Sequence, residues 1–371
     1  MAADAREGKP LDGRERARYL ELDSLRGVAT LFIIAAHIEF APFFWTWSLM
    51  DMFFVLSSFL LTQVVYKQCA NFSGVLTFYG RRIERIWPLY LLTVWGLFVV
   101  ALVKMLNHSG ATEGVAVFWR YFSFSQYSEL ILDPLLTVAP AYPGYGLHLW
   151  SLAVEEQFYV LLPLALLWLR RWPLWLWLSA LVVLAVAANV YRINAPNMYV
   201  LFSHADAFVL GSLLAIVLPR IGAHAATLRL ALWLLLVVGA AGFMPYLVEG
   251  FSQYTAGLKP QGYAGWPALP STLFWVGAIG LLAIHRGHAV LATARWPALV
   301  HLGRLSYPVY LVHFPILRLL AKPLASALEI SVFSASLLCL PLIFGVAEML
   351  YRVIDRRLQE RPLTRLRPAI G

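Results

Sequence analysis

Ten runs of apolar residues, separated by short polar or basic stretches, occupy most of the 371-residue chain. They fall at about 26–45, 48–66, 86–106, 148–169, 172–191, 204–218, 228–247, 269–284, 304–325 and 331–352. Each approaches the ~20 residues that an α-helix needs to cross about 30 Å of hydrocarbon. A lipid-exposed backbone must satisfy its own hydrogen bonds, so the pattern predicts an all-α polytopic membrane protein with about ten transmembrane helices. The sixth and eighth runs are short, and Pro308 and Pro315 interrupt the ninth. Two long segments between runs, about 107–147 and 248–268, are expected to form outer loops.

The charges orient this array. With the N-terminus in the cytosol, 23 of the 29 Lys and Arg residues fall in cytosolic tails, in cytosolic loops or at span ends facing that side. Basic residues concentrate on the cytosolic face of membrane proteins. The bias therefore predicts that both termini are cytosolic, with a tail over 1–21, one membrane domain over 22–355 and a basic tail over 356–371. The net charge of +9 is spread between apolar runs rather than gathered on one face, so it reports topology and membrane lipids, with no nucleic-acid partner expected. A chain 60% hydrophobic and 13% charged is far from a soluble domain, in which about a quarter of residues are charged. Cys69 and Cys339 lie apart in the pattern and indicate neither a disulfide framework nor a metal site. The polar opening lacks the short apolar core and cleavage site of a secretory signal.

Ionisable residues inside spans are costly, and they point to chemistry. In the first run, LDSLRGVATLFIIAAH, Arg26 sits at the inner mouth and His37 eleven residues further on. Eleven helical residues bring the two side chains back to within roughly 20° of one face, about 16 Å apart along the axis. The fourth run travels the other way, which puts Glu155 about 20 Å from the inner surface; His313, nine residues into the ninth run, lies about 14 Å from it. Two imidazoles and a carboxylate from three runs thus reach similar depth. A carboxylate beside an imidazole fixes its tautomer, as a general base for an alcohol requires. Alternatively, each of these residues only hydrogen-bonds a neighbouring helix. Glu156 points about 100° from Glu155, and Glu39 occupies a different face from His37 and reads as structural.

A second cluster is FYGRRIERIWPLY, residues 78–90, at the cytosolic start of the third run. Arg82 and Arg85 share one face at i and i+3, and guanidinium forks suit phosphate oxygens; the competing reading is a basic anchor on lipid head groups. Asp206 near the outer end of the sixth run either lines a substrate vestibule or caps its helix. In RLSYPVYLVHFP, residues 304–315, prolines around His313 are expected to loosen the helix and line a cavity. The absence of GxSxG, Walker A, GxGxxG and HExxH strings removes serine hydrolase, P-loop ATPase and zinc protease readings.

Several of these strings together resemble the acyltransferase-3 family of integral-membrane O-acyltransferases. LDSLRGVATLFIIAAH resembles the family's opening with its Arg, ten residues, His spacing, and MDMFFVLSSFLLT its second span. RRIERIWPLY resembles its Arg-x-x-Arg element and HLWSLAVEEQFYVLLP its Trp-Ser-Leu, acid, Phe-Tyr signature; ADAFVLGSLLA and GRLSYPVYLVHFP match later elements, so the likeness runs in order from 22 to about 315. Ser58 stands where the family usually has Gly, which predicts looser helix packing there. Asp355 in VIDRR replaces the Glu of an Ile-Glu-Lys/Arg-Pro string in a segment read as structural.

The resemblance implies transfer of an acyl group, commonly acetyl, from acyl-CoA to a hydroxyl of a sugar, polysaccharide or glycosylated macrolide-type acceptor, by a multi-pass protein of a bacterial inner membrane. It makes His37 the catalytic base or acyl relay with Arg26 as partner, Arg82 and Arg85 the binders of the CoA phosphates, and Glu155 an orienting group. His313, Glu156 and Asp206 complete the expected set as substrate contacts. No metal is expected. A proton-coupled transporter using His37, Glu155 and His313 as a relay is the alternative from another class, and an inactive scaffold is a third.

Overall fold

The computed structural model describes residues 19–38, 43–107, 118–125, 146–169, 171–194, 199–221, 226–258, 260 and 266–356. Glu39, most of the 107–147 segment and nearly all of both tails lie outside them. Among the described residues there are ten helices of 17 residues or more, each overlapping one of the ten apolar runs. They are α1 (Leu20–His37), α2 (Trp47–Gln68), α3 (Phe72–Asn107), α5 (Trp150–Leu169), α6 (Leu174–Asn194), α7 (Ala205–Ile221), α8 (Ala226–Thr255), α9 (Ala268–Ile284), α10 (Pro297–Leu328) and α11 (Val332–Leu350). A short α4 (Phe118–Phe122) precedes α5 and holds to α3 through the Tyr90 hydroxyl, which donates to the Tyr121 carbonyl at 2.7 Å. Among the described residues, seven helical stretches are both long and apolar enough to cross a membrane; Leu178–Asn194 and Ala268–Ile284 are shorter apolar helices. In α1, Glu21, Asp23 and Arg26 share 18 residues with the apolar run.

Close contacts set the relative direction of neighbouring helices. α1 and α10 are parallel: Gly27 faces Gly303, and ten residues further along both helices His37 meets His313. α2 and α7 are parallel, with Val55 against Gly211 and Thr62 bonded to Ser212 at 2.9 Å. α8 and α9 are antiparallel, Gly239 lying against Phe274 and Gly277 against Leu232. In α2 and α5, Phe54 meets Trp150 and Ser57 meets Glu155, again parallel. All four relations agree with helices that alternate in direction along the ten runs.

Two runs differ from their sequence expectation. α3 is 36 residues long, about 54 Å, so the arginine cluster lies within one continuous helix rather than ahead of it. α10 runs unbroken for 32 residues through Pro308, Pro315 and Pro323, although the prolines were expected to loosen it. Each proline removes one backbone N–H, and the helix on either side holds its course. Pro315 thereby leaves the Leu311 carbonyl without its helical donor.

The α1–α10 crossing has no room for side chains, which is what lets small residues bring membrane helices together. A Cβ on Gly303 would lie 1.8 Å from the Asp23 carbonyl oxygen, and one on Gly27 2.8 Å from the Gly303 nitrogen. Ser58, read from sequence as a looser contact, is fully buried; its hydroxyl donates to the Val55 carbonyl at 3.0 Å and would meet a Cβ on Gly211 at 2.0 Å. The packing there is tight. Gly303→Ala is expected to destabilise the protein by about 1–3 kcal/mol through overpacking, whereas Gly345→Ala in α11, with open space around it, leaves the thermal midpoint in detergent unchanged. Equal melting of the two variants would contradict this account of the crossing.

Candidate active site

A cavity of about 190 Å³ lies among α1, α2, α3, α5 and α10. Its wall carries Arg26, Arg82, Arg85, Glu155 and His313 from the sequence-derived set, and also Arg304, Ser57, Ser151, Tyr159, Tyr307 and Tyr310. Four guanidiniums and one carboxyl group thus face one space, and arginine is protonated at all accessible pH. Such a chamber suits a polyanion.

The arginines gather at one end. Arg82 lies over the rings of Phe78 (5.6 Å) and Tyr159 (5.2 Å), while Arg81, one residue earlier, turns out of the chamber to Gln68 at 2.8 Å. The i, i+3 spacing therefore does select Arg82 and Arg85 for the interior. Arg304 joins them from α10. Its charge was absorbed in the sequence reading by the general count of cytosolic basic residues.

Glu155 belongs to this half of the chamber. Ser57 donates to one of its carboxylate oxygens at 2.9 Å and Tyr159 to the other at 3.0 Å, with Arg26 and Arg82 the nearby cations. The sequence expectation had it orient the histidine or the acceptor; among the described residues its hydrogen bonds go to the two hydroxyls and to no imidazole. Similar depth on two helices does not fix the direction in which each side chain points, and α5 turns Glu155 toward α2. Glu156 is buried outside the chamber wall, near Trp87.

His37 is not on the chamber wall itself; it adjoins it through its partner His313, which is. His37 Nδ1 lies 2.9 Å from the Ile33 carbonyl, which can only accept, so this nitrogen carries the proton. By the same reasoning His313 Nδ1, at 3.0 Å from the Val309 carbonyl and 2.8 Å from that of Tyr310, is protonated, and its Nε2 presents a lone pair. That lone pair faces His37 Nδ1 at 3.3 Å. One tautomer assignment satisfies every contact, and it leaves the lone pair of His37 on Nε2, the nitrogen away from these contacts. A base or nucleophile needs such a nitrogen, and a neighbour able to accept from the opposite side of the ring steadies the imidazolium formed when it takes a proton. Among the described residues, no group of His, Cys, Asp and Glu converges as metal ligands.

Asp206 lies elsewhere. It is fully buried near the start of α7, accepting from Arg192 at 2.7 Å and Thr272 at 3.2 Å, so its carboxylate neither caps the helix nor reaches the chamber. Asp51, bonded by the Trp266 indole at 2.9 Å, adjoins the same ion pair.

A family model described as "Acyltransferase domain" matches residues 19–351, nine-tenths of the chain and all five helices around the chamber. The protein belongs to the acyltransferase-3 family. It is a multi-pass integral membrane member of that family. Among curated relatives, the O-acetyltransferase OatA of Staphylococcus aureus (strain NCTC 8325 / PS 47) is 25% identical over 342 residues, covering 85% of this chain and 53% of the relative. A putative O-acetyltransferase of S. aureus strain COL is 26% identical over 332 residues, covering 82% and 51%. The chain thus spans about half the length of the curated relatives it matches. No solved structure matches it significantly.

Proposed function

We propose that the protein transfers an acyl group, acetyl before longer chains, from acyl-CoA to a hydroxyl of a sugar, glycan or glycosylated macrolide-type acceptor at a bacterial inner membrane. The observation that carries this reading is a chamber with four arginines toward one end and His313 on its wall, whose Nε2 lies 3.3 Å from Nδ1 of the adjoining His37. The names of the relatives agree with it. With cytosolic termini and the ten runs spanning the bilayer, Arg26, Arg82, Arg85 and Arg304 face the compartment that holds CoA. Their forks bind its phosphates, and the thioester arm reaches toward His37. His37 Nε2 takes the acceptor's hydroxyl proton as the oxygen attacks the thioester carbonyl. A C–O bond forms, the C–S bond breaks, and the departing thiolate takes the proton from His37, leaving CoA-SH and the ester.

The test supplies carbon-14 acetyl-CoA to membrane vesicles of the producing bacterium that contain the protein. The label is expected in base-labile esters, together with stoichiometric release of CoA. If neither label nor free CoA forms, while a pH gradient drives solute uptake without consuming acyl-CoA, the chamber serves proton-coupled transport and the proposal falls.

A further inference from the structure

His148, which the acyl-transfer reading does not use, forms the far wall of the imidazole cluster. It sits in the turn Leu147–Leu149 ahead of α5 and is 5% exposed. Its ring centroid lies 5.4 Å from that of His313, 5.1 Å from Phe314 and 5.2 Å from Tyr310. The position is rigid, because the Tyr310 hydroxyl donates to the His148 carbonyl and pairs with the Ser151 hydroxyl at 2.8 Å. Yet among the described residues both ring nitrogens are buried without a hydrogen-bond partner. The carbonyls of Tyr310 and Leu311 lie beside the ring outside hydrogen-bond geometry, and that of Leu311 is the one Pro315 deprives of its helical donor.

An imidazole held this firmly with its polar atoms unspent is costly unless something exchangeable completes it. A hydroxyl does so on both counts, its oxygen accepting from a ring N–H and its one proton going to a carbonyl. The side from which it comes follows from the chamber. Along α5, Glu155 lies seven residues, about 10 Å, beyond His148 toward the arginines, so His148 stands at the end remote from the phosphates. A donor entering at the arginines meets His313 on the chamber wall, and His148 lies behind it with its ring centroid 5.4 Å away.

Building on the acyl-transfer reading, we propose that His148 and the Leu311 carbonyl form an acceptor subsite that holds one hydroxyl of a polyhydroxylated acceptor, so that a neighbouring hydroxyl, the attacking one, keeps its proton for His37. The residue positions the acceptor and takes no part in holding the donor.

His148→Phe separates this role from a structural one, since it keeps a ring among Tyr310, His313 and Phe314 and removes only the nitrogens. Label transfer from carbon-14 acetyl-CoA into the base-labile material of native vesicles is expected to fall on the order of 30-fold. The thermal shift of the purified protein on adding CoA should match that of the unaltered protein, and its unliganded melting temperature should stay level or rise, because two unpaired buried polar atoms are gone. His148→Gln, which returns one polar group near the ring edge, should recover part of the transfer and serves as the test if the Phe variant melts early. Undiminished transfer by both variants would overturn the proposal, as would loss of the CoA-induced shift in step with transfer. Absence of transfer and of any CoA shift in the unaltered protein would instead bring down the acyl-transfer reading itself.

Discussion

Replacement of His37 by alanine is expected to lower acyl transfer by about 10³-fold or more while the protein still inserts, folds and binds CoA. The size follows from what is lost. A positioned general base accelerates proton transfer by roughly 10²–10⁴-fold, and the proposed reaction assigns that role to His37 alone. His313 cannot substitute, since its Nδ1 proton is held by the Val309 and Tyr310 carbonyls and its Nε2 faces His37. Initial rates of CoA release and ester formation in vesicles measure the effect, and CoA-dependent thermal stabilisation shows that the binding end is intact. A His37→Ala protein transferring within tenfold of the unaltered rate would remove His37 from the chemistry. The step would then have to be assigned to another group on the chamber wall.

Arg82→Ala combined with Arg85→Ala should act on the other end. Each guanidinium contact with a phosphate oxygen is worth about 1.5–3 kcal/mol, so losing two weakens acyl-CoA binding by roughly 3 kcal/mol or more, at least about 150-fold in KM. At saturating donor, kcat should change little, because neither arginine approaches the imidazole pair. Salt supplies an independent check: raising ionic strength screens charge attraction, so the affinity of the unaltered protein for CoA should fall more steeply with salt than that of the double variant. An unchanged KM would show that these arginines serve lipid head groups.

Much of this arrangement was legible in the chain. The ten runs became ten helices because a span must be apolar over a fixed length. The eleven-residue step from Arg26 to His37 and the three-residue step from Arg82 to Arg85 survived because both are properties of a single helix. Apart from the prolines of α10 and the length of α3, what failed involved two helices at once. Depth arithmetic put Glu155 level with His37 but carried no information about rotation, and α5 turned the carboxylate to Ser57. Asp206 looked unpaired because its partner Arg192 lies in another run, near the end of α6, and burial drives the two together. Some signal went unread. Ser151, Glu155 and Tyr159 recur every four residues, and Ser306, Tyr310 and His313 follow at four and three, so each helix carries a polar stripe in an apolar context. Both stripes line the chamber, and they meet where Ser151 pairs with Tyr310 at 2.8 Å.

The crossing of α1 and α10 also governs the chemistry at a distance. Gly27 and Gly303 form a pivot, and on each helix the imidazole sits ten residues beyond it, about 15 Å out along a stiff arm. At that radius one degree of change in the crossing angle moves the rings relative to each other by roughly 0.25 Å, so four degrees would separate them by about 1 Å. Misplacing a reacting group by that much can cost about 100-fold in rate. The two glycines thus work as an angular gauge for the reaction centre: a methyl group added at the pivot would reach the two histidines as misalignment without touching either.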